Sequence, residues 1–195
     1  GAFDYSQQEP RLVVHYAEMM QLRGAKDAGD AFRDGDADFH QVVADMAGIK
    51  RKQAKNINLG LFYSMGVKKL SDSLGLTLDE GKELFSRYHE RVPFVKALSE
   101  RAIRRASDQG SIRTLLGRRC RFDKWEPSQF GTRKIMDHKT AYAEHGNAIK
   151  RAFTHKAMNR LIQGSAADMT KKAMQLLYAE GIIPHIQVHD ELDFS

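Results

Sequence analysis

Apolar positions recur at helical spacing through most of this chain and alternate, strand-like, in only a few short stretches. The opening "AFDYS" is a strand candidate. Residues 8–22, "QEPRLVVHYAEMMQL", carry the helical pattern, with Pro10 suited to a first turn. Residues 24–37, "GAKDAGDAFRDGDA", are rich in Gly and Asp and predict a loop with some helical content. Helices are expected over 38–46 and about 49–63, then a turn and a short helix in "SMGVKKLSDSLG". Thr77 and Glu80 stand at capping-box spacing, so "TLDEGKELFSRYHERV" predicts a helix stopped near Pro93. "FVKALSERAIRRASDQG" predicts another, ended by Gly110. "SIRTLLGRRCRFD" alternates around a Gly-containing turn and predicts a hairpin. Residues 124–150 are polar and turn-rich, so an insertion or mobile loop is expected there. "THKAMNRLIQGSAADMTKKAMQLLYAEG" predicts a long amphipathic helix ended by Gly181, and "GIIPHIQVHDELDFS" a closing hairpin. There is no internal repeat. The expected class is α+β, long helices with a small antiparallel sheet.

The length, 195 residues, suffices for one sizeable core or two small subdomains. A net charge of +6 favours a polyanionic partner, although a solvated surface also accounts for it. The single cysteine, Cys120, excludes an intramolecular disulfide and a multi-cysteine zinc site and suits a reduced, intracellular compartment. No apolar run is long enough to span a membrane, and no signal peptide opens the chain. The first residues read as a strand already in progress and the last lie inside a hairpin, so a piece of a longer protein is expected.

The closing hairpin poses the chemical question. The apolar run "IIPHIQV" leads into His189, Asp190 and Glu191 at the tip of what reads as a buried hairpin. Ionised carboxylates are costly to bury without partners, so something positive should meet them. Asp4, far away in sequence, also sits at a strand end. Asp4 alone reads equally as a helix cap and Asp190 as a turn residue. On neighbouring strands, however, two carboxylates can hold two divalent ions about 3.5–4 Å apart. Oxygen ligands without Cys or paired His point to Mg²⁺ rather than zinc.

On the helix over 49–63, Arg51, Lys55, Asn58, Leu59 and Phe62 fall in one stripe. Arg51 to Leu59 rises about 12 Å, the reach of a nucleoside triphosphate. Its basic end could grip phosphates and its apolar end support a base; a solvated basic face over a core stripe is the plainer reading. His40 is a further candidate phosphate donor. The long helix carries His155, Asn159 and Gln163 at four-residue steps, followed by Gly164, Ser165, Ala166 and Ala167. The small residues let another backbone come close. The amides suit minor-groove acceptors common to every base pair, and equally an ordinary polar helix face.

Taken in order, "DYSQQEPR", "RKQAKNINLGLFYSMG", "NRLIQGSAAD" and "QVHDELDF" closely resemble motif A, motif B, the long palm helix and motif C of family A DNA polymerases. The resemblance runs from residue 4 to 195 and is weak between about 123 and 150. It implies a palm with a small antiparallel sheet and long helices, plus mostly helical fingers, with the thumb absent. The implied division is palm over 1–37, fingers over 38–110 and palm again over 111–195. The implied activity is template-directed addition of deoxynucleotides to a primer 3′-OH, with two Mg²⁺ ions (Mn²⁺ as a substitute), primer–template DNA and dNTPs. Asp4 and Asp190 would bind the metals, with the Tyr5 carbonyl as a further ligand. Glu9 would be the steric gate at the sugar 2′ position. Arg51 and Lys55 would bind the triphosphate, assisted by His40, and Lys55 would protonate the pyrophosphate leaving group. Tyr63 would sit near the templating base. Asn159 and Gln163 would touch the minor groove, His189 would position the primer end, and Glu191 would play a secondary part near the metals.

Four positions depart from the family pattern. Leu59 stands where Phe or Tyr is usual, which implies weaker nucleotide stacking, slower incorporation and discrimination against dideoxynucleotides. Ser64 replaces a Gly, Pro10 an apolar residue, and His155 a common Arg. Leu59 and the insertion lean towards a viral enzyme, working in the cytoplasm of a bacterial host. Two other readings stay open: a phage-type single-subunit RNA polymerase, disfavoured by Glu9, and a catalytically incomplete DNA-binding fragment.

Overall fold

Leu12, Val13, Tyr16 and Ala17 are all buried on one side of the first helix, α1 (Gln8–Met19), which follows a short strand, β1 (Ala2–Asp4). The computed structural model describes all residues except 36, 37, 64, 130, 132, 133 and 195, and the side chains of 46 and 47. The Gly- and Asp-rich stretch after α1 is a helix, α2 (Ala25–Arg33), rather than mainly a loop. Ala25, Gly29 and Phe32 are its buried side. Its polar side is laced by Lys26–Asp30 and Arg33–Asp30 pairs, both 2.6 Å, and by Arg33–Glu18 at 2.9 Å. Charge pairs at this spacing offset a weak intrinsic helix preference.

Asp38 caps α3 (Phe39–Ala47), accepting from the amides of His40 at 3.0 Å and Gln41 at 3.1 Å. Next come α4 (Arg51–Phe62) and α5 (Val67–Leu74). The capping box at Thr77 and Glu80 forms as expected at the start of α6 (Leu78–Arg91). Pro93 opens α7 (Pro93–Gln109) as well as limiting α6, because a proline loses no helical hydrogen bond at a first position.

The expected hairpin is β2 (Ser111–Arg113) paired antiparallel with β3 (Arg119–Arg121). The segment expected to be an insertion or mobile loop instead contains β4 (Trp125–Pro127), α8 (His138–His145) and β5 (Ile149–Arg151), with β4 and β5 antiparallel. Trp125 organises it: Arg151 lies over its ring at 4.5 Å and His138 packs edge-on at 4.7 Å. A sequence rich in polar residues thus folds around one aromatic. A 3₁₀ turn, Thr154–Lys156, precedes the long helix α9 (Ala157–Ala179). His155 therefore lies ahead of α9 and not on it. The chain closes with β6 (Ile186–Val188) and β7 (Glu191–Asp193), in a sheet of order β1-β7-β6.

The chain is α+β and divides into two compact units, Gly1–Asp4 with Glu100–Ser195, and Tyr5–Ser99. These boundaries differ from divisions after residues 37 and 110. In the Tyr5–Ser99 unit the core centres on Phe39, whose ring is 5.3 Å from Phe32, 6.0 Å from Phe62 and 6.1 Å from Phe94. In the other unit, Ile112, Met158, Leu161, Ile162 and Leu192 are buried. The closing hairpin is not buried as expected. Leu192 is, but Ile186 and Val188 on β6, one of the sheet's two edge strands, and Ile182 and Ile183 leading into it are 46–58% exposed. No helix among the described residues is long and apolar enough to cross a membrane.

Candidate active site

Strand pairing places the acidic residues of the first unit. Asp4 on β1 lies directly opposite Glu191 on β7, and β7 in turn pairs with β6 through Val188 opposite Glu191. His189 and Asp190 form the two-residue turn between them. Like charges facing across an antiparallel pair destabilise it, so this register favours a bound cation. His189 takes a left-handed backbone, φ 55°, and its carbonyl accepts from Gln187 Nε2 at 3.0 Å. A non-glycine residue in that region is held at a cost of order 1 kcal/mol.

Among the described residues, Asp4, Asp190 and Glu191 enter no ion pair, and no group of three or more His, Cys, Asp or Glu could enclose a metal by itself. Asp4 is exposed and Asp190 and Glu191 are half-buried; a few solvent-accessible carboxylate oxygens at one sheet end suit Mg²⁺, which keeps waters and takes substrate phosphates as further ligands. They would not suit zinc. Tyr5 follows Asp4 and is also exposed.

On α9, Asn159 is half-buried and Gln163 exposed. The small residues after them do admit another backbone. Leu115 N donates to Ser165 Oγ at 3.0 Å, and Arg118 donates to the Gly164 carbonyl at 2.8 Å. A Cβ on Gly164 would sit 2.8 Å from Thr114 Cγ2. Arg118 Nε also donates to Asp168 at 2.8 Å, and Thr114 Oγ1 donates to the other oxygen of that buried carboxylate. Sequence reasoning missed Thr114, Arg118 and Asp168. The only signal was a lone Asp on the apolar side of an amphipathic helix.

In the Tyr5–Ser99 unit, α4 presents Arg51 and Lys55 to solvent and Leu59 half-buried. The expected stripe splits here: Asn58 and Phe62, placed with them by helical periodicity, turn into the core. A stripe some 100° wide spans both the rim and the interior. Arg51 Nε donates to Asp38 Oδ2 at 2.6 Å, leaving its two terminal amino groups outside that pair. Burial pulls the Asp38 carboxyl pKa up. Arg51 and the Gln41 and His40 amides outweigh this, and the net pKa lies below the usual value.

His40 is buried, 4% exposed, which the sequence did not foretell. Burial lowers its pKa; Asp38 opposes this, and the nearby charges of Arg51 and Lys55 add to it. The structure thus brings His40, Arg51 and Lys55 within electrostatic reach of one another. Glu9, in the first turn of α1, lies near Tyr63 at the end of α4. Burial first, then the Glu9 charge, push the Tyr63 phenol well above its usual range. Ser64 lies outside the described residues.

Three comparisons bear on this arrangement. The family model described as DNA polymerase family A matches residues 1–195. A DNA-directed DNA polymerase of Pseudomonas phage M6 is 38% identical over 98% of this chain and 32% of its own length. DNA polymerase I of Pseudomonas aeruginosa is 34% identical over 98% of this chain and 20% of its own length. A solved structure described as the POL domain of Pol1 from M. smegmatis, in complex with DNA primer-template and dNTP, superposes with a TM-score of 0.70. It is 26% identical, with 98% of this chain and 32% of that one covered. The chain therefore spans a third or less of each of these proteins.

Proposed function

The chain belongs to DNA polymerase family A, and from that membership we propose that it carries the palm and fingers of an enzyme adding deoxynucleotides to a primer 3′-OH under the direction of a template. The observation that carries this reading is the β1–β7 register, which sets Asp4 opposite Glu191 and one residue from the turn holding Asp190. Relatives from a bacteriophage and from bacteria support a role in DNA replication inside a bacterial host.

Asp4 and Asp190 would hold two Mg²⁺ ions, with the Tyr5 carbonyl, and Glu191 nearby in a secondary part. The ions, when bound, activate the attacking oxygen and neutralise charge on the phosphates. The chain's own residues do the rest. Arg51, aimed by Asp38, and Lys55 bind the triphosphate, and His40 adds a neutral donor. Lys55 gives its proton to the departing pyrophosphate. Glu9 occupies the space a ribose 2′-OH needs and lies near Tyr63, which borders the templating base. Leu59 offers the base an apolar contact without an aromatic face or a hydroxyl. Asn159, Gln163 and His189 grip the duplex and primer end.

Primer extension by the full-length protein with Mg²⁺ and dNTPs, beside Asp190→Ala, tests the reading. Extension lost in the variant is expected. Salt-sensitive DNA binding without extension would favour a DNA-binding fragment, and equal use of rNTPs would favour an RNA polymerase and remove Glu9 as the gate.

A further inference from the structure

One fully buried polar network in the Tyr5–Ser99 unit touches a proposed phosphate donor from behind. Asn58, 0% exposed in the middle of α4, gives its amide nitrogen to the Phe39 carbonyl at 2.8 Å. The same nitrogen lies 3.4 Å from His40 Nδ1. Its amide oxygen accepts from the hydroxyl of Tyr88 on α6, 3.2 Å away and itself 1% exposed.

The chemistry of these partners leaves one arrangement. A backbone carbonyl only accepts, so the Asn58 atom against it must be the NH₂ group. A phenol against the other atom donates to the carbonyl oxygen, which agrees. The NH₂ group then also faces His40 Nδ1, and two donors cannot face one another. Nδ1 must present its lone pair, which puts the ring proton on Nε2. An imidazolium, with a proton on both nitrogens, is excluded on the same ground. The burial of His40 and the charges of Arg51 and Lys55 act in the same direction, and the opposing charge of Asp38 does not reverse them.

We propose that Asn58, anchored by Tyr88, is a positioning residue that holds His40 as the neutral Nε2–H tautomer, so that it meets the nucleotide as a hydrogen-bond donor whose charge stays fixed. The proposal rests on the assignment of His40 to the triphosphate. It adds that the donor's tautomer is set by a residue that touches no substrate. A neutral donor in a site already holding Arg51 and Lys55 gives direction without a third positive charge.

Selective ¹⁵N-histidine labelling of the full-length protein reads the tautomer directly. The wild type should show His40 with Nδ1 unprotonated and Nε2 protonated, from about pH 8 to below the usual histidine pKa of about 6.5. Asn58→Asp replaces the donor with an acceptor and should put a proton on Nδ1. Tyr88→Phe, which keeps the ring and is the milder change, should give a mixture of tautomers. Both should raise KM for dNTP, the first about tenfold, the scale of one buried hydrogen bond, with kcat little changed. In a His40→Ala background Asn58→Asp should raise KM no further.

A wild-type His40 protonated on Nδ1 at neutral pH would overturn the proposal. So would tautomers unmoved in Tyr88→Phe and Asn58→Asp alike, or KM effects of Asn58→Asp and His40→Ala that simply add. An unchanged KM in His40→Ala beside the expected wild-type tautomer would instead overturn the phosphate role on which the proposal rests.

Discussion

At the carboxylate end, Asp4 and Glu191 are placed by backbone pairing. The ladder from β1 to β7 sets their separation, and their side chains are bound to nothing else among the described residues. On α3 and α4 two of the proposed phosphate donors, His40 and Arg51, are placed by other side chains. Asp38 caps α3 and holds Arg51, while Asn58 and Tyr88 lie behind His40. The difference has a chemical reason. Carboxylates awaiting cations need a set separation, which a strand register supplies. Donors that must meet one shaped anion need direction, and direction on long or rotatable side chains comes from partners. Substitution should therefore act differently in the two regions: removal at the sheet end abolishes chemistry, while substitution of the partner-held donors His40 and Arg51 mainly weakens binding, and Lys55, on α4 but a proton donor, should behave like the sheet end.

The largest test of that contrast is Asp190→Ala in the full-length protein. Losing several kcal/mol of charge stabilisation predicts a fall in extension rate of roughly a thousandfold. Duplex affinity, measured by anisotropy, should change little. If affinity fell in proportion, the sheet end would be a binding element and the contrast would fail. Lys55→Ala comes next. Loss of a general acid predicts about a hundredfold lower kcat, recoverable in part at lower pH, and single-turnover rates would show it. Leu59→Tyr should bring a hydroxyl to the nucleotide and narrow the preference for dNTP over ddNTP by about tenfold, as chain termination assays would report. Continued rejection of dideoxynucleotides would remove Leu59 from the nucleotide contact.

Gly164→Ala probes neither site but the docking of the β2–β3 hairpin on α9. Forcing a Cβ against Thr114 predicts a loss of about 1–3 kcal/mol in thermal unfolding. Asp38→Asn should have the smallest effect on stability, roughly 1 kcal/mol or less, since Asn caps a helix as well as Asp and only the exposed pair with Arg51 is lost. Folding lowers the Asp38 carboxyl pKa, so its contribution is complete above the unfolded value of about 3.9. It is lost as pH falls through the lowered folded value. The two proteins should therefore differ in melting temperature at neutral pH and converge in strong acid. KM for dNTP should rise a few-fold at neutral pH as Arg51 loses its direction.

Local signals were read well wherever the cause was local. The Thr77–Glu80 capping box, Pro10 in the first turn of α1 and the β2–β3 hairpin all formed. The Gly- and Asp-rich stretch and the polar segment after residue 123 misled. Beyond the local Lys26–Asp30 and Arg33–Asp30 pairs of α2, their structure depends on Arg33 meeting Glu18 from α1 and on Arg151 covering Trp125, pairings that no local window contains.

The amino-acid order by itself determined the α+β class, the helices with strong periodicity and the four motifs that mark the family, because residue type, spacing and local capping carry that information. Tertiary structure alone decided that Asp4 faces Glu191, that Arg51 is held by Asp38, and that Asn58 turns inward to Tyr88 and His40. It also left the closing hairpin's apolar edge exposed. Register, burial and tautomer are properties of neighbours brought together by folding, and a helical stripe that reads alike from end to end becomes two environments once one half is packed.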